Sequence, residues 1–175
     1  FVNAIVASSA ASDSLQFAHC AMLVSAGQDS LVVLEATTPG GVKYTPIDDF
    51  LAQSDSIDGR PAVIVMRVAD SCNLDVAATV NRAKALLGQP YDWSFLADNG
   101  KTYCSELIQT SYVDTSGQPL FDTIPLNFAD EKGNIVPYWI DLFDRLDEEI
   151  PQGKPGTSPS SIARSECLVT VKRFF

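Results

Sequence analysis

The sequence predicts an α+β chain, with strand-like segments through its first half and helix-like segments through most of its second. Three patterns carry this reading. Residues 15–24 (LQFAHCAMLV) and 31–36 (LVVLEA) are strand-compatible runs on either side of a glycine-containing turn at 25–30 (SAGQDS). Residues 62–68 (AVIVMRV) form the continuous apolar run typical of a buried central strand. Further on, Cys104, Leu107, Ile108 and Ser111 recur at the spacing of one helix face. The 175 residues, 46% of them hydrophobic, suit a single domain spanning 1–175 with one continuous core.

Taken in order, residues 1–12 (FVNAIVASSAAS) read as a short helix. The stretch has the small and apolar residues of a signal-peptide tail, but neither an initiator Met nor a basic start. A removed leader would point to a periplasmic, secreted or cell-envelope location, and the compartment stays open. The runs at 15–24 and 31–36 make a β-hairpin, 42–45 (VKYT) extends its sheet, and a short helix covers 48–52. The next helix is capped by Ser71 or Asn73, sets Val76, Val80, Ala83 and Leu87 on one face, and ends at Gly88 and Pro90. Residues 90–101 form a loop holding Tyr91, Asp92, Trp93 and Phe95, closed by the turn dipeptide Asn99-Gly100. The Cys104 helix starts near Thr102. Residues 117–133 are irregular, and 137–146 (PYWIDLFDRL) are helical with Pro137 in the first turn. The Pro/Gly-rich 150–159 (IPQGKPGTSP) is an ordered loop rather than a linker, because only a capped turn and the strand 167–171 (CLVTV) follow it.

Composition excludes several functions. A formal net charge of -10 leaves no basic surface to track phosphates, so no nucleic acid is expected. The cluster Asp141, Asp144, Asp147, Glu148 and Glu149 reads as a solvated helix face. No apolar run approaches the roughly 20 residues that cross a bilayer, so no transmembrane segment is expected. Four cysteines (Cys20, Cys72, Cys104 and Cys167) without a C-x-x-C pair, and a single His, supply a zinc site poorly; neither metal nor cofactor is expected. Three of the thiols read as small buried hydrophobes, and any disulfide connectivity is not readable from spacing.

What chemistry the chain holds centres on Cys104. A thiol at a helix amino-terminus is favoured as thiolate by unpaired amides and the helix dipole, and the same amides can hold an oxyanion. The base has to titrate near neutrality, and His19 is the one candidate of that type. Glu35, ending the apolar run LVVL, is costly to bury alone and lies about as far from the hairpin turn as His19, so the two can meet across neighbouring strands. A Cys104–His19–Glu35 relay would follow. A plain structural reading of each residue, as buried thiol, core histidine and packing tyrosines Tyr91 and Tyr103, competes with it.

The segments FVNAIVASS, SLQFAHCAML, LEAT, LGQPYDWSFLADNGKTYCSEL and IPQGKPGTSPSSIARS together resemble the YiiX/YebB-like family of permuted NlpC-type, papain-like amidases. The resemblance spans almost the whole chain, and the YCSEL box after PYDWSF is its most specific part. It implies a circularly permuted papain-like fold, an antiparallel β-sheet packed against helices with the nucleophile at a helix N-terminus. It carries the nucleophile onto Cys104, the base onto His19 and the third polar residue onto Glu35. Tyr91, Tyr103, Ser105 and Glu106 match the surrounding motif and are implied to shape the pocket and orient substrate. One departure is Cys20, where relatives carry an aliphatic residue; strand alternation would turn it to the face opposite His19, for packing.

The function this implies is hydrolysis of a small peptide or amino-acyl amide substrate, cell-wall peptide fragments included, through an acyl-enzyme. Two rivals stand beside it: a lipid-directed thioesterase or acyltransferase of the related permuted fold, and a non-catalytic binding module. A serine hydrolase is disfavoured by the lack of a G-x-S-x-G elbow.

Overall fold

The computed structural model describes residues 1–9, 15–27 and 30–175. Helix α1 (Val2–Ser8) leads into a three-stranded antiparallel sheet ordered β1-β2-β3, made by β1 (Met22–Gly27), β2 (Ser30–Thr37) and β3 (Gly41–Pro46). The predicted short helix at 1–12 is therefore α1, and its residues 10–12, like the middle of the 25–30 turn, lie outside the described residues. The hairpin sets Met22 against Leu34 and Val24 against Val32, while β3 sets Lys43 against Glu35 and Thr45 against Val33. As the middle strand, β2 is buried at four successive positions, Val33, Leu34, Glu35 and Ala36, so polar and apolar residues alike must find partners there.

After α2 (Ile47–Gln53) the chain makes the small hairpin β4 (Ser56–Ile57) and β5 (Arg60–Pro61), then β6 (Ile64–Val68), α3 (Val76–Ala85) and α4 (Cys104–Ser111). The remainder holds β7 (Ile124–Pro125), α5 (Pro137–Leu146), β8 (Pro155–Gly156), α6 (Pro159–Ala163) and β9 (Leu168–Arg173). Both α4 and α2 pack on β2. Leu34 and Leu107 are fully enclosed where sheet and α4 meet, and Phe128, Trp139 and Phe143 close the core below α5. Each such side chain contributes about 1.5–3 kcal/mol by leaving water. Among the described residues no helix is long and apolar enough to cross a membrane.

Four expectations are corrected. Strand β1 begins at Met22 rather than residue 15, because the preceding segment bonds elsewhere: the Phe17 amide donates to Ser160 Oγ at 2.8 Å. The apolar run at 62–68 is no buried central strand. It yields β6, whose single partner β9 leaves Val169 and Val171 about half exposed. The cap of α3 is Asp75, whose carboxylate accepts from the Ala78 amide at 2.9 Å, while Ser71 lies in a 3-10 turn and Asn73 is left-handed. Of the stripe predicted on α3, Ala83 is enclosed but Val76 and Leu87 are exposed. The contact with α4 is made largely by Arg82, whose Nε donates to Ser111 O at 2.7 Å and Nη2 to Val113 O at 3.1 Å, serving the carbonyls at the carboxyl end of α4.

The fourth correction concerns the cysteines. Cys72 and Cys167 form a disulfide rather than packing as separate thiols, next to the β6–β9 ladder, where the Ala69 amide also donates to Cys167 O at 2.8 Å. With the two cysteines 95 positions apart in sequence, the cross-link removes about 4–5 kcal/mol of unfolded-chain entropy in the loop-closure account.

Gly41 ties the sheet to the loop that precedes α4. Its φ is +67°, and a Cβ there would stand 2.0 Å from Gln89 O. The close approach allows Val42 N–H to donate to Gln89 O and Gly88 N–H to Val42 O, both at 2.9 Å. Gly41→Ala is expected to destabilise the fold by roughly 2 kcal/mol or more, read as a lowered urea midpoint; an unchanged midpoint would refute the close packing.

Candidate active site

Helix α4 starts at Cys104 because the chain before it is extended and tied down. Tyr103, at φ -96° and ψ 167°, is the N-cap residue; its carbonyl accepts from Leu107 N–H at 3.0 Å and its amide donates to Glu106 Oε2 at 3.3 Å. The first-turn amides of α4 have no acceptor within the helix, so positive partial charge gathers around the Cys104 sulfur. One residue earlier, Thr102 pairs with the 90–92 segment: its amide donates to Pro90 O at 3.0 Å and its carbonyl accepts from Asp92 N–H at 3.2 Å. That bridge brings Tyr91 near Cys104: burial chiefly, and then the charge of the sulfur, raise the Tyr91 pKa. The enclosed Asp92 carboxylate shapes the loop by accepting from the Ser94 amide and hydroxyl and from the Leu96 amide.

His19 sits in the irregular segment before β1. Continuing the Met22–Leu34 register would put Ala21 opposite Glu35, so His19 reaches Glu35 diagonally. Its Nε2 is 2.7 Å from Glu35 Oε2, and Thr45 Oγ1 donates to Glu35 Oε1 from the strand on the other side. With Nε2 engaged by Glu35, Nδ1 is the ring nitrogen left over, and His19 and Cys104 act on each other's pKa. Three residues far apart in sequence are thus linked: Glu35, His19, Cys104.

The charges follow the geometry. Burial on its own would lower the His19 pKa, but the hydrogen bonds and charges of Cys104 and Glu35 outweigh it and raise it to about 10. For Cys104 the largest influence is the Cys20 hydrogen bond, which lowers the pKa; burial opposes it, and His19 adds to the lowering, with a net position well below the ordinary thiol range. Burial pushes Glu35 up, but His19 and Thr45 pull it below its ordinary value. The favoured state is thiolate, imidazolium and carboxylate. About a third of the His19 side chain is exposed (33%), against 4% of Cys104, so the ring is the exposed side of the pair.

Cys20 overturns its expected role. Outside the ladder the alternation rule does not apply, and Cys20 is the largest influence that draws the Cys104 pKa down. Phe50 of α2 was not visible as a site residue either; its ring lies 6.0 Å from that of His19 and flanks the imidazole. Only the aromatic at the start of a helix that packs on the sheet could have signalled it.

The other motif residues are enclosed around α4. Tyr91, Tyr103 and Glu106 are 5–8% exposed and Ser105 is 1% exposed. The Tyr103 hydroxyl accepts from Thr157 N–H at 3.2 Å, and burial raises its pKa to about 12. Burial also lifts the Glu106 carboxyl, the Tyr103 amide draws it back, and Asp92 and Asp98 add to the rise, leaving it at about 7. Asp141, Asp144, Asp147, Glu148 and Glu149 are all exposed and far from being a single helix face, since α5 ends at Leu146.

Comparison with known proteins gives this arrangement a setting. The family model for the permuted papain-like amidase enzyme, YaeF/YiiX, C92 family, matches residues 1–172. The uncharacterized protein YiiX of Escherichia coli K12 is 28% identical over 158 residues, which span 90% of this chain and 74% of that protein. The crystal structure of metalloprotein yiiX from Escherichia coli O157:H7 superposes with a TM-score of 0.67 at 28% identity, covering 89% of this chain and 82% of the other. Both likenesses run along nearly the full chain, and the solved structure has the same mixed architecture of helices and antiparallel sheet.

A depressed thiol pKa means that Cys104 is ionised at pH values where an ordinary cysteine is protonated. Iodoacetamide at about pH 6 is therefore expected to alkylate Cys104 well ahead of Cys20, measured by peptide mass mapping. In His19→Ala the hydrogen bond and charge that lower the pKa are lost, the thiolate fraction at that pH drops, and labelling should slow by about tenfold or more. Equal rates in the two proteins would contradict the pairing.

Proposed function

Because this chain belongs to the permuted papain-like amidase family, YaeF/YiiX, C92, we propose that it is a cysteine amidase or peptidase acting on peptide or amino-acyl amide bonds through Cys104, His19 and Glu35. What supports the proposal is the 2.7 Å hydrogen bond between His19 and Glu35 together with the pull of His19 on the pKa of Cys104, the thiol at the mouth of α4. Residues 1–175 act as one catalytic domain in this reading, and small cell-wall peptide fragments are a substrate class consistent with the family's amidase chemistry.

Cys104 is the nucleophile. Its sulfur adds to the amide carbonyl carbon, and the oxygen takes the negative charge, facing the free amides of the first turn of α4. His19 as imidazolium then gives its Nδ1 proton to the departing amine as the carbon–nitrogen bond breaks, leaving a thioester on Cys104. In the second half neutral His19 takes a proton from water, the hydroxide adds to the thioester, and the acid product leaves as thiolate and imidazolium are restored. Glu35 fixes the ring and favours its charged form.

Tyr91 borders the reacting sulfur, and its hydroxyl orients the thiolate or the substrate carbonyl. Tyr103, Ser105 and Glu106, enclosed around α4, act by positioning that helix rather than by presenting a surface to ligand. The relative from Escherichia coli O157:H7 is described as a metalloprotein. That property is not carried over, since among the described residues no group of three or more His, Cys, Asp or Glu side chains is arranged to hold a metal ion.

The test is a screen of small peptide and amino-acyl amides. Cys104→Ala and His19→Ala should each lower kcat/KM by about a thousandfold or more, with the folded state retained by circular dichroism. Activity that survives Cys104→Ala would end the proposal. The pH profile carries a sign. Activity rises on the acid side as Cys104 loses its proton and falls on the alkaline side as His19 loses its own, near pH 10. Because Glu35 raises the His19 pKa, Glu35→Gln should move the alkaline limb to lower pH and reduce kcat by roughly a hundredfold.

A further inference from the structure

A concave space lies apart from the residues assigned to catalysis. A cavity of about 430 Å³ opens between the loop that leads into α4 and the loop that follows α5. Ser94, Leu96, Asn99 and Lys101 form one wall, and the other runs from Glu148 to Lys154. Cys104, His19, Glu35 and Tyr91 do not line it. Its volume falls within the roughly 300–1,000 Å³ of small-molecule sites, which pair an apolar lining with a few polar groups.

The lining has that character. Leu96, Ile150 and Pro151 supply apolar surface, while the ammonium groups of Lys101 and Lys154 and the carboxylates of Glu148 and Glu149 stand around it. None of these four is ion-paired among the described residues, where the pair formed is His19–Glu35. Opposite charges that share one cavity without neutralising each other leave both signs available to a ligand. We propose that this cavity binds a short peptide with both ends free, Lys101 and Lys154 taking its carboxylate and Glu148 and Glu149 its ammonium. Hydrolysis of a peptide bond creates a new carboxylate on one fragment and a new amine on the other, so such a peptide is a product of amide cleavage; the source of the ligand, though not its chemistry, rests on the function proposed above.

Both walls are built before any ligand arrives. Ser94 Oγ donates to Asp92 Oδ1 at 2.6 Å and accepts from Asn99 Nδ2 at 3.1 Å, and Asn99 Oδ1 accepts from the Lys101 amide at 2.9 Å. Opposite them, the Lys154 amide donates to Pro151 O at 3.1 Å, its carbonyl accepts from Leu126 N–H at 2.8 Å, and the Glu148 amide donates to Phe143 O at 3.2 Å. Backbone fixed in this way lowers the ordering cost of binding. A single exposed charge pair is weak. Two charges of each sign around an apolar lining favour a zwitterion over a ligand of one sign, which would satisfy one pair and be repelled by the other.

The experiment is titration calorimetry on the full chain carrying Cys104→Ala, so that no thiol chemistry competes, with alanyl-leucine as probe and N-acetyl-alanyl-leucine amide as the capped control. Alanyl-leucine should bind at one site, and the capped form about tenfold more weakly or worse. In the same background Lys101→Met with Lys154→Met, and separately Glu148→Gln with Glu149→Gln, should each weaken alanyl-leucine binding by about tenfold or more. All four side chains are exposed, so both variants are expected to keep the fold, checked by circular dichroism. No binding at millimolar alanyl-leucine, equal affinity for the capped form, or full affinity in either double variant would overturn the site. Amide hydrolysis that survives Cys104→Ala would end the catalytic reading without touching this binding, and loss of the binding leaves wild-type hydrolysis as it was, so the two failures are read separately.

Discussion

A carboxylate 4% exposed on the middle strand of a sheet can remain ionised only if both of its oxygens are satisfied. Glu35 meets that constraint with one partner from each side: Thr45 on β3, and His19 from just beyond β1. The constraint runs outward from there. His19 lies where no ladder bond fixes the backbone, so its ring is placed largely by the carboxylate. Removing one partner of a buried pair costs about 3–5 kcal/mol, and less here because a third of His19 is exposed to screening water. The geometry of the site and the solvation of one strand residue are therefore the same problem.

The two halves of the site come from distant parts of the chain, and one late loop spans them. The Thr157 amide donates to the Tyr103 hydroxyl, next to Cys104, at 3.2 Å. Three residues on, Ser160 Oγ accepts from the Phe17 amide at 2.8 Å, two residues before His19. The loop is itself firmly built: Ser158 caps α6 by accepting from Ser161 N–H at 3.1 Å, and β8 pairs with β7. Gly156 packs so closely that a Cβ would stand 2.6 Å from Leu126. A strut of this kind makes the order of the elements along the chain irrelevant to the site, which is how His19, in an irregular segment earlier in the chain than α4, still meets it.

Much of this was legible in the sequence where local rules decide. The helix opening at Cys104, the hairpin, the Pro137 helix and the Asn99-Gly100 turn each rest on short-range chemistry, and His19 with Glu35 rested on counting residues from a turn. What was not legible depended on tertiary partners. Alternation put Cys20 on the face away from His19, but that rule holds only inside a ladder, and Ser160 draws the chain out of the sheet before Met22. The run at 62–68 was apolar enough for a central strand, yet which strands flank it is decided by the end of the chain. Asp75 won the cap of α3 over Ser71 and Asn73 because the preceding turn occupied both. The Cys72–Cys167 pairing needed the β6–β9 register, which no spacing encodes.

The contrast between the cysteines shows what distinguishes a reactive thiol. Burial alone leaves a cysteine neutral and inert, and Cys104 is buried. A position at a helix start supplies only part of the remedy, since the helix dipole is worth about 1 kcal/mol or less at most sites. What tips the balance for Cys104 is the influence of Cys20 first and of His19 after it, which together outweigh burial. Neither belongs to the sheet ladder; both sit on the 15–21 segment, held by Ser160. The regular elements thus supply the buried carboxylate and the helix mouth, while the residues that ionise the sulfur are carried on connecting chain, whose order has to be maintained by side-chain bonds. A set of charges so enclosed opposes stability, which is why the surrounding bonds are as numerous as they are: they hold in place an arrangement that an apolar core would not choose.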